Sequence, residues 1–446
     1  MRHPRKRWST AAMLAVVATT GVSASLHGND WPQWLGPDGD NQWRESGILR
    51  TFPAEGPPVK WRAAVHWGYA GPAVAGGRVF VMDFLPDDPQ LRNNPSGREQ
   101  VAGTERVLCL SSADGSLLWE HAAQRTYAIS YPGGPRCTPA VDAEHVYALG
   151  ALGHLTCLRR GDGHVVWSKD FVADYGAPTP VWGFAAHPLA DDQRLYCVVG
   201  GKDAAVVAFD KATGRELWRA LATTDAGYCP PTLIRHAGVE QLIIWLPETL
   251  AALNPATGAT YWTLPLKPAY GMSIAAPRKH GDVLFASGHG HTAAAVRLGE
   301  GPTDVEVVWS GKAGRGVYAS NATPYLEDGV IYGSDCFSGG LAAARLEDGQ
   351  ELWTVFEPTT GDRRAAHGTA FLFKHEDRFL LMSETGHLIL AKLSPAGYEE
   401  ISRAKILEPT NEAFGRPVVW SSPALAEKCV FARNDKELVC VDLSAR

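Results

Sequence analysis

Between Ala140 and Ser168 the apolar residues fall in four short runs: Ala140-Val141, His145 to Leu149, Leu155 to Leu158 and Val165 to Ser168. Asp142, Gly150, Gly153 and Asp162-Gly163 separate them. Runs of two to five residues cut by turn formers predict strands joined by tight turns. Asp-Gly supplies the positive φ that a hairpin needs, and the apolar residue and Trp167 that follow begin an outer strand.

This unit recurs. A Gly four residues before a Trp, preceded by Asp or Thr, stands at Gly115 and Trp119, Gly163 and Trp167, Gly214 and Trp218, Gly258 and Trp262, and Gly349 and Trp353. Trp309 marks a copy with an altered turn, and Trp61 an additional one; the intervals run from 44 to 58 residues. A period in the forties points to propeller blades, because one such sheet cannot bury both faces and must stack on neighbours in a closed ring. Inner strands are expected to start at Gly71-Pro72-Ala73, Thr138-Pro139-Ala140, Thr179-Pro180-Val181, Pro230-Pro231-Thr232, Ile274-Ala275-Ala276, Asn321-Ala322-Thr323, His367-Gly368-Thr369 and Ser422-Pro423-Ala424.

The predicted fold is therefore all-β: an eight-bladed β-propeller of four-stranded antiparallel blades over residues 58–446. The seventh copy lacks its Trp, so Tyr398 to Ile406 must serve as its outer strand. The last copy ends before an outer strand, and Pro58 to Ala63 is expected to supply it by pairing with Glu437 to Leu443. Residues 25–57, with Trp31-Pro-Gln-Trp34, read as an extension packed on the propeller, and Pro86 to Gly103 as a surface insertion in the first blade.

A basic start, an apolar run from Ala11 to Val22 and small residues at Val22-Ser23-Ala24 predict a signal peptide over residues 1–24, hence export to the periplasm or the cell exterior. No later run is long enough to span a bilayer. Composition is that of a globular protein, 45% hydrophobic and 20% charged. A net charge of −6 argues against nucleic acid as a partner. Eight cysteines show no Cys-x-x-Cys spacing, so no metal site is expected; Cys429 and Cys440 flank Asn434-Asp435 symmetrically and are candidates to face each other across a hairpin.

The repeat, above all Asp210 to Trp218 and Asn254 to Trp262, resembles that of the PQQ-like (quinoprotein) propeller superfamily. The resemblance covers nearly all of the chain from about residue 58 and specifies fold more than activity. One branch is the non-catalytic propeller of the outer-membrane β-barrel assembly machinery, BamB, to whose uncharacterised exported relatives Trp31 to Asp40 also looks similar. It implies a protein or peptide partner, no cofactor and no catalytic residue, although the branch's acylated Cys is absent. The other branch, the quinoprotein dehydrogenases of alcohols and sugars, implies pyrroloquinoline quinone (PQQ) and Ca²⁺ with an Asp base; its vicinal cysteines are missing, and no motif here places the base or the calcium ligands.

In a four-stranded blade the loops entering the inner strands converge around the axis and form the default binding face. Here they carry His66, Trp67 and Tyr69; Tyr131 and Arg136; Tyr175 and Trp182; Tyr228; Tyr270 and Met272; Arg315, Tyr318 and Asn321; Arg363, Arg364 and His367; and Arg416 and Trp420. Such a set suits an extended peptide, a planar anion held by Arg315, Arg363 and Arg364, a saccharide stacked on Trp182 or Trp420, or a mere aromatic plug. Gly153-His154, Gly290-His291 and Gly386-His387, with His289, recur at equivalent turns, but their blades are too far apart to share a metal. A monomer is expected.

Overall fold

Each repeat folds as its hydrophobic pattern requires, into four antiparallel strands running from the axis outward. In the second blade these are Ala140–Val141, His145–Leu149, His154–Arg159 and Val165–Asp170, hydrogen-bonded in that order. The computed structural model describes residues 30–445 apart from 91, 92 and 96, so the predicted signal peptide lies outside the described residues. Eight such sheets form the propeller, and helix is confined, among the described residues, to Phe171–Tyr175 and a 3-10 turn at Ala269–Gly271.

Ring closure follows the expected route. Val59–Ala64 pairs antiparallel with Glu437–Asp442, and the Trp61 position stands opposite Cys440. The eighth sheet is thus completed by a strand from the other end of the chain, which covers the edge that Glu437–Asp442 would otherwise leave open. The outer strand of the seventh blade is Gly397–Lys405, without a tryptophan.

The spacing of Gly and Trp serves two interfaces at once. The Trp61 indole donates to the Ser112 carbonyl of the first blade (2.8 Å), Trp119 to Arg160 (3.0 Å), Trp167 to Lys211 (3.0 Å), Trp218 to Pro255 (3.0 Å), Trp309 to Leu346 (2.8 Å) and Trp353 to Ser394 (2.8 Å), always in the following blade. The Gly of that blade's turn lies against the ring: a Cβ at Gly115, Gly163, Gly214 or Gly258 would meet the preceding blade's indole at 2.5 or 2.6 Å. These glycines are also at φ of 69 to 74°, so hairpin and wedge demand the same residue. The altered turn of the fifth blade breaks the series, and Trp262 turns to Gln241 of its own blade instead (3.3 Å).

The inner strands of the fifth and sixth blades begin two residues beyond the expected triplets, at Arg278 and Tyr325, and two expectations fail outright. The inner strand of the third blade is Leu189–Ala190, not a strand starting at Thr179-Pro180-Val181; those residues belong to a longer loop, in which Ser130 donates its amide to the Val181 carbonyl. In the last blade Phe431 faces Cys440 while Cys429 faces Asp442, and both thiols are free and buried. The turn is two residues longer than the symmetric placement assumed, because the Asn434 side chain accepts from the amides of Lys436 and Glu437 and caps a connection running from 434 to 437.

The first blade carries the insertion between its second and third strands, Arg78–Pro86 and Val101–Ser111, so the expected bounds of Pro86 to Gly103 overlap the strand ends. Residues 30–49 run along the opposite end of the axis. Trp31 exchanges both backbone bonds with Val74, Val141 donates to Pro32, Arg278 to Gly39, and Asn41 and Trp43 bond Lys374. Lys428 then donates to the Glu45 carboxylate and Leu49 to Leu443. This strap therefore engages the inner strands or their turns in blades 1, 2, 5, 7 and 8. It turns at Gly36, where a Cβ would press on the Trp31 ring at 2.9 Å.

Trp61 is 8% exposed and fastens the ring, so Trp61→Ala is expected to cost about 3–5 kcal/mol in urea unfolding, without a change in the fold's circular dichroism at low denaturant. A loss under 1 kcal/mol would refute the closure role.

Candidate functional site

The loops that enter the inner strands, and the turns between second and third strands, enclose a cavity of about 580 Å³ on the axis. Nine predicted residues line it: Tyr69, Tyr131, Arg136, Trp182, Tyr228, Tyr270, Asn321, His367 and Trp420. Met272, also singled out from the loops, joins them. Trp34, His187, His289 and Phe414 are lining residues that the binding-face reading did not assign to this cavity. Trp34 had a signal, since an aromatic pair in an otherwise turn-rich leader needs a surface to cover it. Phe414 had none: it stands in a polar stretch between the seventh and eighth blades.

Trp34 comes from the strap and stacks face to face on His187, with centroids 4.2 Å apart and planes within 7°. Both also line a second cavity of about 760 Å³ at the strap end, so this stack is the partition between the two and the floor of the upper one. His187 Nδ1 accepts the Thr138 amide at 2.8 Å, which puts the imidazole proton on Nε2; burial lowers its pKa to about 3 and keeps the ring neutral.

A row of rings forms the wall on the side of blades 5 to 8. His291 stacks on Phe337 at 4.1 Å, Phe337 lies 5.2 Å from His289, His289 5.2 Å from His367, and His367 5.0 Å from Phe414. Burial, helped by the neighbouring His289 and Arg416, lowers His367 to about 4, so its ring is neutral at neutral pH, and burial lowers His289 as well. Trp182 meets Tyr228 edge to face at 5.4 Å on the facing wall.

The remaining eight candidates lie elsewhere, among them His66, whose amide donates to Asp83, and Tyr175, whose hydroxyl donates to Glu216. Trp67 bridges Phe84 in the wall of the first blade. Tyr318 backs the ring row, its hydroxyl held by the carbonyls of Lys312 and Arg315. Arg315 lies over the Trp309 ring at 5.3 Å and donates to the Asp348 carbonyl, at the boundary of blades 5 and 6. Arg363 and Arg364 are exposed in the loop before the seventh inner strand. Arg416 is tied to Glu384 at 2.7 Å and to the Ala366 carbonyl at 2.9 Å, and Glu384 also accepts from Trp420 Nε1 at 3.0 Å. The anion site imagined from Arg315, Arg363 and Arg364 is not assembled, because loop carbonyls and turn geometry decide where these side chains end.

The one arginine on the cavity wall, Arg136, is equally occupied. It donates to the carbonyls of Gly134 (2.7 Å), Tyr131 (2.7 Å) and Ser130 (3.1 Å) and lies over Tyr69 at 5.0 Å. Burial pushes Tyr69 up to about 12, so no phenolate adds charge. Among the described residues no three His, Cys, Asp or Glu side chains converge as metal ligands, and no carboxylate lines the cavity. The histidines of the recurrent Gly-His turns have local partners: His154 lies 3.4 Å from Asp170, His387 bonds Thr385, and His291 joins the ring row.

With fold and cavity defined, comparison with known proteins places the chain. The family profile described as outer membrane protein assembly factor BamB matches residues 103–355 and 247–446. The chain belongs to this BamB family of PQQ-like propellers. A Yersinia pestis protein named outer membrane protein assembly factor BamB is 24% identical over 264 residues, 56% of this chain and 64% of that protein. The chain thus matches less than two thirds of that relative's length. Family members and more distant propellers share the fold: BamB from Moraxella catarrhalis superposes with a TM-score of 0.54 at 15% identity, over 82% of this chain and 99% of that one. The quinohemoprotein alcohol dehydrogenase from Comamonas testosteroni does so at 0.63 and 10% identity, over 94% and 81%. Identities this low speak for architecture alone.

The neutral His187 makes a prediction with a definite sign. Its folded pKa lies below the ordinary value of 6.5, so protons favour the unfolded chain. The stability it leaves intact above pH 6.5 is lost as pH falls from 6.5 towards 3, by about 2 kcal/mol at pH 5. Urea unfolding at pH 7 and pH 5 should show that loss, and His187→Gln should reduce it.

Proposed function

We propose that this protein is an exported, non-catalytic propeller of the cell envelope that holds a segment of a partner protein at its funnel face. The observation that carries this reading is the cavity's chemistry: a blind, ring-lined space whose cationic wall residue is already saturated by backbone carbonyls. Such a surface takes apolar side chains from an extended chain and gives up little by losing water. Membership of the BamB family supports the same reading, since its profile is described as an assembly factor.

The quinone alternative needs cations for a planar tricarboxylate and oxygen ligands for Ca²⁺. The lining residues fit neither: Arg136 is engaged, Arg416 is paired with Glu384, and no acidic side chain reaches the cavity. No catalytic step is therefore derived through that cofactor.

A photo-crosslinking residue placed at Trp182, on the funnel wall, should give a discrete protein adduct in cells, whereas one at Leu118, exposed on the outer strand of the first blade, should not. Purified protein mixed with PQQ and Ca²⁺ should neither retain quinone absorbance nor reduce dye with alcohols or aldoses. Retention with dye reduction would replace this reading with the dehydrogenase.

A further inference from the structure

The left-handed backbone conformation costs a residue with a side chain on the order of 1 kcal/mol or more, so turns that need it normally use Gly, Asn or Asp. At the strap end the non-glycine cases have an ordinary explanation: Ala237, Asp328, Glu376, Glu427 and Lys428 occupy tight hairpins between first and second strands. The funnel face is different. There the non-glycine left-handed positions are held by Tyr131 (φ 53°), Tyr270 (58°), His291 (54°), His367 (57°) and Phe414 (50°), with Leu221 the one aliphatic case among those loops.

Phe414 shows what is being selected. It and Gly415 (φ 70°) form the two-residue turn between the short strands Asn411–Ala413 and Arg416–Val418, where Asn-Gly would satisfy the backbone without strain. The chain instead places a phenyl ring there, 56% exposed, over the mouth of the cavity. Tyr270, preceding Gly271, repeats the arrangement and is 79% exposed. Each position accepts backbone strain, and each ring packs within the chain on one side only, Phe414 on His367 and Tyr270 beside His289, leaving much of its surface to solvent.

We infer that Tyr131, Tyr270 and Phe414 form a rim clamp that closes on an aromatic side chain of the partner segment, whose ring enters the cavity and stacks on the row His289–His367–Phe414. This inference rests on the funnel-face reading above. An aromatic guest matches the wall, because its rings stand 5.0 to 5.2 Å apart in near-parallel planes, a spacing that another ring continues. A saccharide matches it less well, since sugars need free hydrogen-bonding groups and three of the polar wall side chains are engaged: Ser320 with His367, Asn321 with Thr369, Tyr69 with Asn93.

The test uses the full-length protein and a fluorinated probe, N-acetyl-5-fluoro-L-tryptophanamide, followed by 19F NMR line broadening. Wild-type protein should broaden the probe, and Phe414→Gly and Tyr270→Gly should each weaken the effect at least tenfold. Their melting temperatures should be unchanged or higher, because Gly keeps the turn and removes the strain. A melting temperature lowered by 5 °C or more would mean that the ring is structural, and wild-type binding by both variants would overturn the clamp. Maltose displacing the probe would replace the aromatic guest with a sugar. If the probe fails to bind while the Trp182 adduct still forms, this inference falls and the partner-binding reading stands; if the adduct is absent too, both fall.

Discussion

The whole architecture depends on an indole inserted between adjacent sheets. Each sheet of four short strands has two apolar faces, and neither is covered until a neighbour arrives. The tryptophan of one outer strand reaches across, fills the gap and gives its single donor to a carbonyl of the next blade, so the buried polar atom is satisfied by the contact that buries it. The glycine of the next turn is what allows the ring to lie flat. One sequence motif is therefore divided between two junctions: its Gly belongs to the interface behind it and its Trp to the interface ahead. Where the fifth blade loses the glycine turn, Trp262 loses its neighbouring carbonyl, and the series shows its own control.

That coupling explains why the fold was readable. Fixed spacing, turn residues and short apolar runs are local properties, and they sufficed for eight sheets and for the closing strand around Trp61. Register in the last hairpin was not readable, because a single side chain, Asn434, lengthens the turn and sets Cys429 opposite Asp442, which leaves Cys440 as its diagonal neighbour. The third inner strand was misplaced for a related reason: Thr179-Pro180 imitates the start seen in other copies while the true strand follows a longer loop.

The binding face was legible by residue type and only partly by position. Aromatic side chains in the entering loops reach the axis because they are large and have few competing partners; Tyr69, Trp182, Tyr228 and Trp420 all do. Arginines do not obey the same rule. Each has five donors, and the nearest loop carbonyls or carboxylates capture them first, as with Arg136, Arg315 and Arg416. The expected convergence of Arg315, Arg363 and Arg364 on the axis failed there. The floor was hidden for another reason, since nothing local says that Trp34 will meet His187 more than a hundred and fifty residues away.

The strap also sets an orientation. Asp30 lies beside Gly76 at the turn between the first two strands of blade 1, and Ile48 meets Ser444 close by the other terminus, so both ends of the described chain depart from the side opposite the funnel. Anything attached at either end hangs behind the disc and leaves its ringed mouth facing outward. A tether of any length at those points would present the cup without obstructing it.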